Sequence, residues 1–194
     1  MQSRSGYWLT IGKLYKKMSD GRYYACTATL IGRRLILTAA HCVSNVKSPS
    51  DISFDLSTVN GKYLATANGV RTYTQADLDE FDALDGGQKP ANSRRPVWNT
   101  DEGVNMYTDW AIVEIDSPLG DDYGWMGIDP DTAGAKSRSY TLVGYSGDFM
   151  GAKTAGIHQG CRVGEVVENL LYRHNCDSNG GSSGGPLFYL DGDN

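Results

Sequence analysis

The chain has 194 residues, 40% hydrophobic and 21% charged, with a formal net charge of -5. This length can bury a sizeable core, and the mild acidity with no lysine or arginine stripe gives no support to a nucleic-acid partner, so none is expected. No apolar run reaches the roughly 18 residues a membrane-spanning helix needs, so no membrane partner is expected.

Taken in order, residues 1–6 are polar and show no signal peptide, so a mature form is expected. Residues 7–16 read as a strand carrying Trp8, Leu9, Ile11 and Leu14, and Ser19-Asp20-Gly21 turns the chain. Residues 23–30 and 35–38 form a hairpin-like pair, and 39–43 a short helical turn, so the apolar run Leu35-Ile36-Leu37 delivers His41 to its end. Residues 52–56 and 63–73 are further strands. Periodicity fades over 75–103, where one helical turn at 77–82 and a solvated surface loop are expected. Residues 110–115 return to strand with Asp109 at their mouth, and 117–131 read as a connection between two units. A strand at 140–145, a turn at Ser146-Gly147-Asp148 and an antiparallel pair of 158–167 with 170–173 follow. The stretch Asp177 to Pro186, D-S-N-G-G-S-S-G-G-P, suits neither helix nor regular strand and holds its serines by backbone geometry. Residues 186–190 are apolar, and 191–194 read as a hairpin turn. Many short strands, 24 glycines and 6 prolines point to an all-β fold; pattern alone leaves sandwich and barrel both open.

Cys26, Cys42, Cys161 and Cys176 allow three pairings; their spacing makes Cys26–Cys42 and Cys161–Cys176 the economical ones, which implies an oxidising compartment and a secreted protein. His158, Cys161, His174 and Cys176 could also be read as a zinc set, but their spacing does not match a compact zinc module, so no metal is assigned. No cofactor motif is present.

Histidine, aspartate and serine, each beside a strand-like segment, are the parts of a base-activated nucleophile. Thr38-Ala39-Ala40-His41-Cys42, Asp109-Trp110-Ala111-Ile112-Val113 and Gly181-Ser182-Ser183-Gly184-Gly185-Pro186 resemble the three motifs of the chymotrypsin-like serine proteases, in that family's order. Gly144-Tyr145-Ser146-Gly147-Asp148 is similar to the G-Y-P-G-D motif of the bacterial and fungal glutamyl-endopeptidase-like branch, with Ser146 in place of proline. His174-Asn175-Cys176-Asp177-Ser178 resembles that branch's H-x-C-D-T run. The resemblance implies a serine endopeptidase of protein or peptide substrates, with Ser183 as nucleophile, His41 as base, Asp109 orienting it, and the N–H groups of Gly181 and Ser183 as the oxyanion hole. The S-G-G-P register favours Ser183 over Ser182. Ser182 departs from the acidic or asparagine residue usual before the nucleophile, so a switch in which a freed amine pairs with an acid there is not expected.

The resemblance further implies two six-stranded antiparallel β-barrels: residues 1–118 carrying His41 and Asp109, a connection at 119–134, and 135–194 carrying Ser183. Only four strand candidates serve the second barrel. Either a second polypeptide supplies its missing C-terminal strands or they are absent. For specificity, the branch implies cleavage after acidic residues with Ser178 lining the pocket, whereas Asp177, six residues before Ser183, suits a trypsin-like pocket for lysine or arginine. The remaining alternative is a non-catalytic binding protein on a protease fold.

Overall fold

Side chains alternate between the two faces of a strand, so over 52–56 and 111–115 Ile52, Phe54 and Leu56, and Ala111, Val113 and Ile115, share single faces, and all of these are fully buried. The structure, a computed structural model, describes residues 6–75, 77, 98–99, 104–105, 108–130, 133–167 and 171–190. It is mostly β with little helix. Strands β1 (Ile11–Lys17), β2 (Tyr23–Leu30), β3 (Leu35–Thr38), β4 (Ile52–Leu56), β5 (Ala65–Thr74), β6 (Trp98–Asn99), β7 (Val104–Asn105) and β8 (Ala111–Ile115) precede a short helix at Leu119–Tyr123. Six of them close a barrel in the order β1-β2-β3-β8-β5-β4, all pairs antiparallel. Its core adds Leu14, Ala28, Leu30 and Ile36, and each large apolar side chain buried there contributes about 1.5–3 kcal/mol.

The second lobe comprises β9 (Tyr140–Gly144), β10 (Gly156–Cys161), β11 (Val163–Val167), β12 (Leu171–His174) and β13 (Leu187–Phe188). β9 is flanked by β10 and β13, and β11 pairs with β12. The two registers that matter most are antiparallel. Thr38 lies opposite Ala111, so the chain leaving β3 and the chain entering β8 meet at one end of the barrel. Leu187 lies opposite Leu142, so the turn before β13 meets the end of β9.

Three segments differ from their expected form. Residues 7–10 belong to a 3-10 turn (Gly6–Thr10), and strand begins only at Ile11. Tyr7 and Trp8 both pack on Phe188, with ring centroids 5.3 and 6.1 Å away, which alternating strand positions could not do. The strand expected over 158–167 is two strands broken at Arg162, whose N–H is diverted to Asn175 Oδ1 at 2.7 Å. β6 lies within the region expected to be loop and pairs with β7 just beyond it. Of the helical turn expected at 77–82 only Asp77 is described, and the turn expected at 191–194 lies outside the described residues.

Polar contacts join the lobes. Lys13 Nζ donates to Ala152 O at 2.8 Å, Asn60 N–H to Thr154 Oγ1 at 2.9 Å and Gly61 N–H to Lys153 O at 2.8 Å. Tyr145, 1% exposed, accepts from Thr58 N–H at 2.8 Å and donates to Thr58 O at 3.3 Å. Burial pushes its phenol up to about 12, against the pull of the Thr58 hydrogen bonds. An unfolded tyrosine ionises near 10, so this contribution is fully present below about pH 10 and is lost as pH rises toward 12. A difference of two units corresponds to about 2–3 kcal/mol. Urea denaturation at a series of alkaline pH values should therefore show stability falling through this window, with a shallower fall in Tyr145→Phe. Equal slopes for the two proteins would contradict the assignment.

Candidate active site

His41 sits in a 3-10 turn (Ala40–Cys42) directly after β3. The turn is fixed on two sides. Cys42 is bonded to Cys26 of β2, with Cα atoms 6.1 Å apart. Lys16, although only 7% exposed, reaches from β1 and donates to His41 O at 2.7 Å and Ser44 O at 3.1 Å. A cation is favourable against these carbonyls at the C-terminal end of the turn.

Asp109 precedes β8 and accepts twice from His41: from its backbone N–H at 2.9 Å and from Nδ1 at 2.8 Å. An ionised carboxylate can only accept, so Nδ1 carries the proton, and in the neutral ring Nε2 keeps its lone pair. Both side chains are about four-fifths shielded from solvent, at 19% and 21% exposure, which strengthens the bond relative to water.

The serine turn is pressed against this corner. Thr27 N–H donates to Ser183 O at 2.9 Å, and the same carbonyl lies 3.8 Å from Cys42 Sγ, next in sequence to His41. Gly184 (φ +78°) packs so closely that a Cβ would overlap the Thr38 hydroxyl and the Thr27 carbonyl. Gly181 (φ +100°) similarly lies on Tyr145 O. A residue with a side chain fits at neither position. Thr27, fully buried, ties the pieces together: its Oγ1 donates to Gly181 O and accepts from Tyr145 N–H, both at 2.9 Å, while its carbonyl accepts from Thr38 Oγ1 at 2.8 Å. Neither Gly181 N–H nor Ser183 N–H has an acceptor among the described residues.

The corner thus joins His41 to Asp109, and the turn that carries Gly181 and Ser183 is bonded to Thr27 of β2 beside it. Asp177 and Ser178 lie exposed at the start of the serine turn, and Asp177 N–H donates to His158 Nδ1 at 2.7 Å. Cys161 and Cys176 are bonded to each other, which withdraws both sulfurs from the zinc alternative. Cys26, His41 and Cys42 also lie close together, but the disulfide leaves no thiolate there to ligate a metal. Sequence reading missed Lys16 and Thr27, and it weighed His158 only as part of a zinc set. A threonine or lysine in a strand carries no local mark of a partner far along the chain.

The trypsin-like peptidase domain family matches residues 26–193. A glutamyl endopeptidase of Bacillus licheniformis is 27% identical over 168 residues, 84% of this chain and 45% of that protein. Serine protease 23 of Mus musculus is 24% identical over 89% of this chain and 44% of its own length, so the chain spans about half the length of the curated relatives it matches. Among solved structures, the protease Anisep from Arthrobacter nicotinovorans aligns with a TM-score of 0.67 at 20% identity, over 95% of this chain and 79% of that one.

Proposed function

The chain belongs to the trypsin-like peptidase family, within the chymotrypsin-like serine proteases, and from that premise we propose that it is a serine endopeptidase acting through His41, Asp109 and Ser183. The observation that carries this reading is the double acceptance of His41 by Asp109, at 2.9 and 2.8 Å, at the corner onto which the serine turn is packed.

The chemistry follows from that arrangement. Nε2 of His41 takes the Ser183 hydroxyl proton as Oγ attacks the scissile carbonyl carbon. Asp109 offsets the positive charge that the ring acquires. The carbonyl oxygen becomes an oxyanion, received by the N–H groups of Gly181 and Ser183; one such donor typically lowers the barrier by about 3–4 kcal/mol. Collapse expels the amine, which leaves with the proton from His41. Water then repeats the sequence on the acyl-enzyme and regenerates Ser183.

For substrate choice, the proposal is cleavage after acidic residues with Ser178 at the pocket, supported by the glutamyl endopeptidase relative. The exposed carboxylate of Asp177 supports a second reading, cleavage after lysine or arginine. Cleavage-site profiling on a peptide library separates the two. We further assign residues 119–134 to the link between the lobes. Two disulfides support a secreted protein. No helix among the described residues is long and apolar enough to cross a membrane.

The test is an active-site phosphonate followed by mapping of the labelled peptide. A phosphonyl adduct on Ser183, lost in Ser183→Ala and suppressed by substrate, is expected. An adduct on Ser182 instead, or none in a protein with no hydrolytic activity, would overturn the reading.

A further inference from the structure

Two residues depart from the protease motifs in the sequence, Ser146 and Ser182, and the fold places them against each other. Their hydroxyls are hydrogen-bonded across the gap between the end of β9 and the serine turn. Ser146, 9% exposed, also accepts from Asn179 N–H at 3.4 Å. Its neighbour Gly147 donates N–H to Gly180 O at 2.8 Å. Within the turn, Ser182 N–H closes onto Asn179 O at 3.0 Å, and Gly181 O is held by Thr27. The polar groups on the inner side of residues 179–182 are thus engaged, whereas the N–H groups of Gly181 and Ser183 are not engaged by any described residue. Rotation of the peptide that bears the Gly181 N–H would break the Gly147 bond to Gly180 O, and rotation of the one that bears the Ser183 N–H would break the Gly185 N–H bond to Ser182 O at 2.8 Å, while the hydroxyl pair anchors the side chain of Ser182, the residue between them.

We propose that Ser146 is a positioning residue for the oxyanion turn: its hydroxyl, bonded to Ser182, holds the Gly181 and Ser183 N–H groups in the orientation that receives the oxyanion. The inference rests on the serine-peptidase reading. It means that, among the described residues, a neutral hydroxyl pair anchors the oxyanion turn at Ser182. Ser146 does not touch the substrate, so its loss should be felt where charge develops and not in ground-state binding.

The experiment measures kcat and KM on a peptide substrate for the wild-type chain and for Ser146→Ala, Ser182→Ala, Ser146→Thr and the double alanine variant. It also measures affinities for a peptide aldehyde, whose adduct with Ser183 bears an oxyanion, and for the matching reduced-amide peptide, which has no carbonyl at the scissile position. Ser146→Ala is expected to lower kcat and aldehyde affinity together, by roughly 10- to 100-fold, with KM and reduced-amide affinity changed less than about twofold. Ser182→Ala should match it, the double variant should lose no more than either single one, and Ser146→Thr, which restores the hydroxyl, should recover most of the loss. If Ser146→Ala does not fold, Ser182→Ala and Ser146→Thr carry the same comparison. An active wild type whose variants keep kcat and aldehyde affinity, or lose both peptides equally, overturns this inference alone. A wild type that hydrolyses nothing and takes no label overturns the peptidase reading and this inference with it.

Discussion

Ser183→Ala should lower kcat for peptide hydrolysis on the order of 10⁶-fold, a loss matched by His41→Ala, because a nucleophile and its base act as one unit. Asp109→Asn should cost about 10⁴-fold. The asparagine can keep the His41 backbone N–H bond, but its amide can donate to Nδ1 and stabilise the tautomer whose Nε2 bears the proton. KM should change little in all three, since none of these groups is assigned to hold substrate in the ground state. Ser182→Ala, one residue away, should lose only the roughly 10- to 100-fold expected from a loosened turn. Steady-state kinetics on a single peptide separates these outcomes. A Ser182→Ala protein as inactive as Ser183→Ala would move the nucleophile assignment and, with it, the register of the oxyanion hole.

The parts of this corner that could be read from sequence are those in which local geometry dictates residue type. Gly181 and Gly184 must be glycine, because a side chain at either would strike backbone or hydroxyl at a positive φ, so the turn announces itself as G-S-S-G. β4 announces itself because one face is buried and the other is not, giving strict alternation, whereas Ile112 on the less buried face of β8 breaks that pattern. β1 breaks that rule: Lys13 and Lys16 are buried at 8% and 7% exposure, because the second lobe and the His41 turn cover them and their ammonium groups reach backbone carbonyls. Polarity alone would have placed both in water. The pairing of Thr27 with Gly181 spans 154 residues, and that of Ser146 with Ser182 spans 36. Contacts of that range depend on where the fold brings two strand ends and leave no periodic trace.

Thr27 is where fold stability and the proposed site meet, and Thr27→Val isolates its hydroxyl. Valine keeps the shape and the β-branched strand preference, and the backbone bonds of residue 27 to Ser183 and Thr38 survive. What is lost is one donor to Gly181 O and one acceptor for Tyr145 N–H. Residue 27 is fully buried, so water cannot take the place of the hydroxyl. Leaving a buried backbone group unpaired costs about 1–3 kcal/mol, and with both affected the total should be roughly 2–6 kcal/mol. Thr27→Ser keeps both bonds and loses only a methyl group, for about 1 kcal/mol. Urea denaturation should rank the proteins as wild type, then Thr27→Ser, then Thr27→Val. Because Gly181 O is one of the anchors of the oxyanion turn, kcat should fall at least 10-fold in Thr27→Val under conditions where the protein remains folded, and far less in Thr27→Ser. Equal destabilisation by serine and valine would place the effect in packing and remove the hydroxyl from its role as the link between β2 and the serine turn.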